Sequence, residues 1–372
     1  MSCSKYIRAT TRFIWKLTSP QRRSLKLSVS GCMREYSSGE QISCQQTEYI
    51  SSGAGYFTSK FSISEESIKY VTPGVIESIK SIPVKADKAF TIADYGCADG
   101  GTSMPLMYAC VKELKNLNGN ELEVHINYED MPGNDYNSLF YFCQGLLPGP
   151  SSYLTYFPNV FVSATGTNFY DQCFPSGSVN FGFSCLAAHW LSRKPCNLTK
   201  ALLYRFSEVP DEKNEFIRQA EKDWERFMLM RARELSKGGK LALIMAVDGE
   251  DCNNSFQLYN GLYKVMESLA KDNIITEDEM KAMTIPEYFR TQDELIKPFM
   301  SDESPIRKAG LTLSSLETKK FLWPETRLWQ ETGDAKLVAR MMTEQTRAWS
   351  NFMFLSGIFE GTAIFEEIAG CN

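Results

Sequence analysis

The sequence predicts an α/β protein built on a doubly wound parallel sheet, with a block of helices inserted late in the chain. Three observations lead there. Short β-prone runs alternate with helical patterns between residues 89 and 247. The first of these runs ends in a glycine-rich turn, Asp94-Tyr95-Gly96-Cys97-Ala98-Asp99-Gly100-Gly101, which opens a helical pattern. From 250 to about 305 strand-like runs disappear and helical spacing takes over.

Each element has its own signal. Segment 41–60 is polar, with Gly53 and Gly55. Over 64–82, Ile68, Val71, Val75, Ile76 and Ile79 recur at roughly helical spacing, interrupted by Pro73-Gly74. Ala89 to Ala93 reads as the first strand and 103–116 as the helix after its turn, closed by Asn118-Gly119. A second strand over Leu122 to Tyr128 runs into an acidic turn, Glu129-Asp130-Met131-Pro132-Gly133-Asn134-Asp135, and an aromatic-rich helix over 136–146. Further strands are expected at Val160 to Ser163, Val179 to Ser184 and Lys240 to Val247. A long amphipathic helix over 213–236 stops at Lys237-Gly238-Gly239. Helical patterns follow at 262–271, 276–283 and 291–299; Leu311 to Phe321 reads as extended or mixed, 335–350 as helical, and Phe352 to Phe359 as apolar, strand-like or helical. The expected organisation is a basic tail or presequence (1–40), the first part of the core (41–249), a helical cap insertion (250–305) and the remainder of the core (306–372).

Composition narrows the function. The 372 residues carry 40 basic and 45 acidic side chains, a net charge of −5, so no global attraction to phosphate backbones favours a nucleic-acid partner. The longest apolar run, Leu241 to Val247, is far too short for a membrane span. Eleven cysteines lie scattered without a CxxC pair and read as reduced thiols of an intracellular protein. With only His125 and His189, a histidine-rich metal site is excluded. Residues 1–34 hold eight Lys or Arg and no acid, amid many Ser and Thr. That is the composition of a mitochondrial presequence, with a plain basic tail on a cytoplasmic protein as the alternative.

The turns indicate a ligand. In open α/β sheets ligands bind beyond the carboxyl ends of the strands, at helix N-termini. A dinucleotide would need G-x-G-x-x-G, whereas here the spacing is Asp94-x-Gly96-x-x-x-Gly100-Gly101. Asp94 and Asp99 would repel a pyrophosphate but suit a cation. S-adenosylmethionine, with ammonium and sulfonium charges and no phosphate, fits. Asp130, after the second strand, stands where a carboxylate would hold a ribose diol; it lies too far from Asp94 for the NAD pattern.

These same residues carry a family resemblance. Ile92-Ala93-Asp94-Tyr95-Gly96-Cys97-Ala98-Asp99-Gly100 resembles the I-A-D-L-G-C-S-S-G signature of the plant salicylate, benzoate and theobromine methyltransferase (SABATH) family. Asp130 to Ser138 is similar to its D-L-P-G-N-D-F-N-S, and Ser184 to Ser192, with Ala188-His189-Trp190-Leu191-Ser192, to its S-S-x-x-L-H-W-L-S. Asn168-Phe169-Tyr170 with Phe174-Pro175 resembles S-F-Y-x-R-L-F-P, and weaker agreement extends the likeness over roughly 49–368. The resemblance implies a Rossmann-like seven-stranded methyltransferase sheet with a helical cap, often a homodimer. It also implies methyl transfer from S-adenosylmethionine to a small carboxylic acid or, in some members, to a ring nitrogen. Carried over position by position, it implies cofactor contacts at Tyr56, Cys97, Thr102, Asp130, Met131, Asn168 and Phe169, and substrate contacts at His189 and Trp190. The turn itself adds Asp94 and Gly96 on the cofactor side; Tyr56 and Tyr170 are further candidates to line the substrate pocket.

Two departures stand out. The family's Y-x-x-N-S-x-x-Q falls on Tyr56, Ser59, Lys60 and Ile63, so the Gln that helps hold the substrate carboxylate is missing. The D-x-F-N that supplies a magnesium in some members falls on Lys281, Met283 and Thr284, and no metal is expected. A carboxylic acid is ionised at pH 7 and needs no general base to attack a sulfonium methyl. His189 and Trp190 are therefore expected to position the substrate, Trp190 through its indole N–H and ring and His189 by donating a hydrogen bond. The alternatives are methylation at nitrogen or another oxygen, a cofactor-binding protein without transfer activity, and a nicotinamide oxidoreductase.

Overall fold

The computed structural model describes residues 53–358 except 62, 86 and 250–255. The basic segment 1–40 and the end of the chain from 359 lie outside the described residues. Five strands form one parallel sheet: β1 (Phe90–Tyr95), β2 (Val124–Asp130), β3 (Val160–Gly166), β4 (Val179–Cys185) and β5 (Leu235–Ile244). Their order is β3-β2-β1-β4-β5, so the direction of winding reverses between β1 and β4. Ile92 pairs in register with Ile126 on one side and Phe181 on the other, and all three are fully buried. Burial on both faces is why these strands read as continuous apolar runs rather than alternating ones.

Helices cover both faces. On one side lie α1 (Tyr56–Lys60), α2 (Ile63–Lys80), α3 (Met104–Asn118) and α4 (Tyr136–Cys143). Ile68, Val75 and Ile79 of α2 join Met107, Val111 and Leu114 of α3 in the main core. That packing carries α2 straight through Pro73, where the sequence suggested an interruption; tertiary burial outweighs the local break. The other face is covered by α5 (Pro210–Glu234), whose Trp224, Phe227 and Met228 meet Leu241 and Leu243 of β5. Helix α5 ends at Glu234, before the expected stop. Gly238 and Gly239 lie inside β5 instead, where its pairing with β4 is irregular between Val179 and Phe181.

The cap consists of α6 (Gln257–Lys271), α7 (Glu277–Ala282) and α8 (Gln292–Ile296). Thr276 with Glu279, and Thr291 with Glu294, form reciprocal capping boxes that fix where the last two begin. Three more helices follow: α9 (Pro305–Lys308), α10 (Pro324–Thr332) and α11 (Ala335–Ser356). Among the described residues no strand follows Ile244, so five strands stand where seven were expected. Leu311 and Leu316 pack with the α5 cluster, yet the stretch to Phe321 makes no sheet pairing, and Phe352 belongs to α11. No described helix is long and apolar enough to cross a membrane.

Candidate functional site

The carboxyl ends of β2, β1 and β4 lie side by side along one edge of the parallel sheet. Backbone N–H groups of Gly96 and Cys97 donate to the carbonyl of Glu129 at 2.8 and 3.0 Å, continuing the β1–β2 ladder into the turn. Gly96 has φ 73°, and a Cβ there would lie 2.4 Å from the Cβ of Ala187 beyond β4. Only glycine permits both the left-handed backbone and this close approach. Gly100, at φ 74°, is pressed against Leu139 of α4 in the same way. Ala98 is a non-glycine residue held at φ 49°, and Leu186, on the β4 side, is held at φ 52°.

Ala98 is clamped from both ends. Its N–H donates to Asp130 Oδ2 at 2.7 Å and its carbonyl accepts from Asn134 Nδ2 at 2.6 Å. The second Asp130 oxygen accepts from the Met131 N–H at 2.8 Å. Asp130 thus ties the second strand end to the first turn. Asp94 is 1% exposed and accepts from the Ser103 hydroxyl at 2.5 Å. Asp99 accepts from the Thr58 N–H at 2.9 Å and from its hydroxyl, seating α1 over the turn.

Four carboxyls, Asp94, Asp99, Glu129 and Asp130, therefore crowd the ends of β1 and β2, and burial shapes their chemistry. Burial pushes Asp94 up to about 7 against the stabilising Ser103 bond, with Asp130 adding repulsion. Asp130 rises to about 6 for the same first reason, opposed by its two backbone donors. Asp99 and Glu129 are also raised, again mainly by burial. Buried atoms without a hydrogen-bond partner include Glu129 Oε1, Asn134 Oδ1, Ser184 Oγ and His189 Nδ1, all beside these strand ends. Unpartnered acceptor oxygens on Glu129 and Asn134, a glycine cradle and a cluster of carboxyls fit a cationic, hydroxyl-bearing cofactor such as S-adenosylmethionine, and not a pyrophosphate.

The loop after β3 adds the next wall. Asn168 Oδ1 accepts from the Tyr170 N–H at 2.9 Å, and the Phe169 ring packs 4.8 Å from Tyr170 and 5.5 Å from Phe227. What holds this loop escaped the sequence reading. Arg231, fully buried on α5, donates to the carbonyls of Phe169 and Asp171 at 2.8 and 3.1 Å. It pairs with buried Glu234 at 2.8 Å and lies 4.0 Å over the Tyr95 ring. Glu234 in turn accepts from the N–H groups of Cys173 and Phe174. The signal available was two charged residues continuing the buried stripe of Trp224, Phe227 and Met228.

His189 and Trp190 lie just beyond Ala187 and Leu186. His189 is 6% exposed, stacked 5.3 Å from Phe289, with Nε2 3.3 Å from Oε1 of Glu287. Trp190 is half-buried against Trp349 and Phe352 of α11 at 6.2 and 5.8 Å. The Tyr170 hydroxyl donates to the Trp190 carbonyl at 2.5 Å, linking the two loops. The structure thus gathers Asp94, Gly96, Cys97, Asp130, Met131, Phe169, Tyr170, His189 and Trp190 around one end of the sheet. The remaining candidates make other contacts. Tyr56 gives its hydroxyl to Glu344 of α11 at 3.0 Å. Thr102 lines a groove of about 300 Å³ with Glu65, Ile68, Lys69, Thr72 and Pro73 of α2. Thr284 donates to the Lys281 carbonyl, and the Lys281 ammonium pairs with Asp278.

Fold and site together define a class: a doubly wound α/β protein whose switch-point turn suits a cation rather than a phosphate. The chain belongs to the SAM dependent carboxyl methyltransferase family, whose model matches residues 53–369. It is 28% identical over 243 residues to the benzoic acid/salicylic acid carboxyl methyltransferase 3 of Petunia hybrida, a match covering 62% of this chain and 66% of that protein. A probable caffeine synthase 2 of Camellia sinensis is 25% identical over 294 residues, covering 74% of this chain and 78% of that one. Among solved structures, a loganic acid methyltransferase with S-adenosylhomocysteine shares the fold at a TM-score of 0.56 and 19% identity, over 84% of this chain and 96% of that chain.

Proposed function

We propose that the protein transfers a methyl group from S-adenosylmethionine to the carboxylate of a small organic acid, giving a methyl ester. The observation that carries this reading is the juxtaposition, across the Gly96–Ala187 contact, of a carboxyl cluster at the strand ends and an aromatic cluster of His189, Trp190, Trp349 and Phe352. The Petunia and loganic acid relatives, named for acid methylation, support the substrate class.

S-adenosylmethionine, when bound, would supply the electrophilic methyl group. Asp130, Asn134 and the glycine turn would hold its ribose and amino acid parts, with Asp94 supporting the turn through Ser103. His189 and Trp190 would orient the acid so that an oxygen faces the methyl carbon. An already ionised acid needs no base, so catalysis rests on alignment and exclusion of water, effects worth up to about 7–11 kcal/mol. The aromatic walls serve that exclusion.

Incubating the protein with methyl-labelled donor and a panel of small acids, benzoate first, tests the reading: a base-labile volatile label is the expected product. A base-stable label would instead indicate methylation at nitrogen or another oxygen. Buried Ile63, at the start of α2 where the family has Gln, favours that second reading. The homodimer, the two further strands and mitochondrial delivery are parts of the same proposal. They rest on the family resemblance and on the acid-free composition of residues 1–34.

A further inference from the structure

We propose that Arg231 and Glu234 are positioning residues for the cofactor: from inside the core they hold the loop after β3, residues 167–174, in its binding shape before the cofactor arrives. The inference rests on the cofactor site described above and adds what fixes one of its walls.

The loop runs beside the glycine turn. The Thr167 N–H donates to the Asp130 carbonyl at 2.9 Å, and the Phe169 ring lies 3.7 Å from where a Cβ on Gly96 would stand. Asn168 and Phe169 are the residues of this loop expected from the sequence to touch the cofactor. The Asn168 carbonyl accepts from the Asp171 N–H at 2.7 Å, so the chain turns back sharply there.

Four backbone groups of the loop find their partners on α5. Arg231 Nη1 donates to the Phe169 carbonyl at 2.8 Å and Nη2 to the Asp171 carbonyl at 3.1 Å, while Glu234 Oε1 accepts from the N–H groups of Cys173 and Phe174. The same pair is tied to β1. Glu234 Oε2 accepts from the Tyr95 hydroxyl at 2.7 Å and from Arg231 Nε at 2.9 Å, and the guanidinium lies 4.0 Å over the Tyr95 ring. Tyr95 ends β1 and immediately precedes Gly96. Loop and turn are thus set against each other from one point, by two side chains with no exposed surface.

Stability alone does not account for these charges, because apolar residues of the same size commonly stabilise a core as well as a buried ion pair does. What apolar residues cannot do is bind named backbone groups of one loop. Lysine at 231 could not do so either: one ammonium cannot span two carbonyls and both Glu234 oxygens as the planar fork does. A loop already in place spares the cofactor the free energy of ordering it.

Hydrogen exchange without ligand reads the loop directly. In the parent protein the N–H groups of Cys173 and Phe174 should exchange slowly, and fast exchange there overturns the proposal. Arg231→Lys should speed exchange across 168–174 while α3 stays protected, and should weaken S-adenosylhomocysteine binding by about tenfold, the worth of one hydrogen bond to a charged group. The double variant Arg231→Met with Glu234→Leu separates positioning from folding, and it decides if Arg231→Lys does not fold. Its stability in denaturant should recover toward the parent's, while its affinity for S-adenosylhomocysteine stays about tenfold low. Affinity that recovers together with stability refutes the positioning role, as does unchanged affinity in folded Arg231→Lys. With an acid that is esterified, the KM for S-adenosylmethionine should rise in both variants and kcat should change little. If the parent protein binds no S-adenosylhomocysteine, the cofactor site is misplaced, while the exchange data still decide whether the pair holds the loop.

Discussion

Cofactor affinity should depend on pH because of the carboxyls packed at the strand ends. Asp94 is raised from 3.8 to about 7 and Asp130 from 3.8 to about 6, burial being the main cause in both. A carboxyl whose folded-state pKa is raised favours the folded state while protonated. Without ligand, the protein should therefore lose stability as pH climbs from about 4 to about 7. A cation bound beside these groups favours their ionised forms, so binding releases protons and tightens with rising pH. If both must ionise, affinity for S-adenosylmethionine should rise about sixtyfold between pH 5.5 and 7; if Asp130 alone must, the rise is about fourfold. Titration calorimetry in buffers of different ionisation enthalpy measures both the affinity and the protons released. S-adenosylhomocysteine, lacking the sulfonium charge, should show a shallower dependence. An affinity for the charged donor that is flat over this range, with no proton release, would show that these carboxyls do not face the cation.

Other substitutions test the frame around the cleft. Gly96→Ala places a methyl 2.4 Å from the Ala187 Cβ at φ 73°, so cofactor binding should be lost; Gly74→Ala, open on every side within α2, should instead stabilise by about 0.5–1 kcal/mol. Arg231→Met leaves Glu234 buried without its partner and should cost about 3–5 kcal/mol in denaturant unfolding; the double change with Glu234→Leu should recover part of that. Asp130→Ala removes two bonds to backbone N–H groups and should weaken S-adenosylhomocysteine binding by about a hundredfold in calorimetry. Trp190→Ala should leave that affinity intact while turnover falls, and equal losses in both measurements would move Trp190 to the cofactor side.

The parts of this fold legible in the sequence are those fixed locally. Buried strands such as Phe90–Tyr95 and Val179–Cys185 announce themselves as apolar runs because neighbours cover both their faces. Gly96 and Gly100 mark a turn that no other residue could make. Elements decided by distant partners were not legible. Helix α2 crosses Pro73 because α3 lies against it. Helix α5 stops at Glu234 because that carboxylate is consumed by Arg231 and by backbone N–H groups some sixty residues earlier in the chain. The same holds for the site. Asp94 and Asp130 stand at strand ends, beside turns whose spacing discloses them, whereas the contact of Glu287 with Trp190 arises only when the cap segment bridges back to that loop. The expectation of seven strands came from resemblance and not from pattern; the stretch from Leu311 to Phe321, extended or mixed by its sequence, forms no described strand.

Under the proposed reaction the two sides of the Gly96–Ala187 contact have opposite electrostatic needs, and the chain lines them with different chemistry. On the β1–β2 side, Asp94, Asp99, Glu129 and Asp130 are acceptors drawn into low dielectric, an arrangement that favours a bound cation. On the β4 side, His189 and Trp190 stand among aromatic rings, where the proposed reaction would seat the acid's carboxylate. A methyl transfer between such a pair cancels charge, so a dry junction favours the transition state over the separated ions. That junction is the contact of Gly96 with Ala187, where the absence of one Cβ lets the two strand ends close. The strained Ala98 and Leu186 flank it, one on each side. Their backbone geometry is maintained where the opposed charges must meet, which is the place a reaction of this kind demands rigidity.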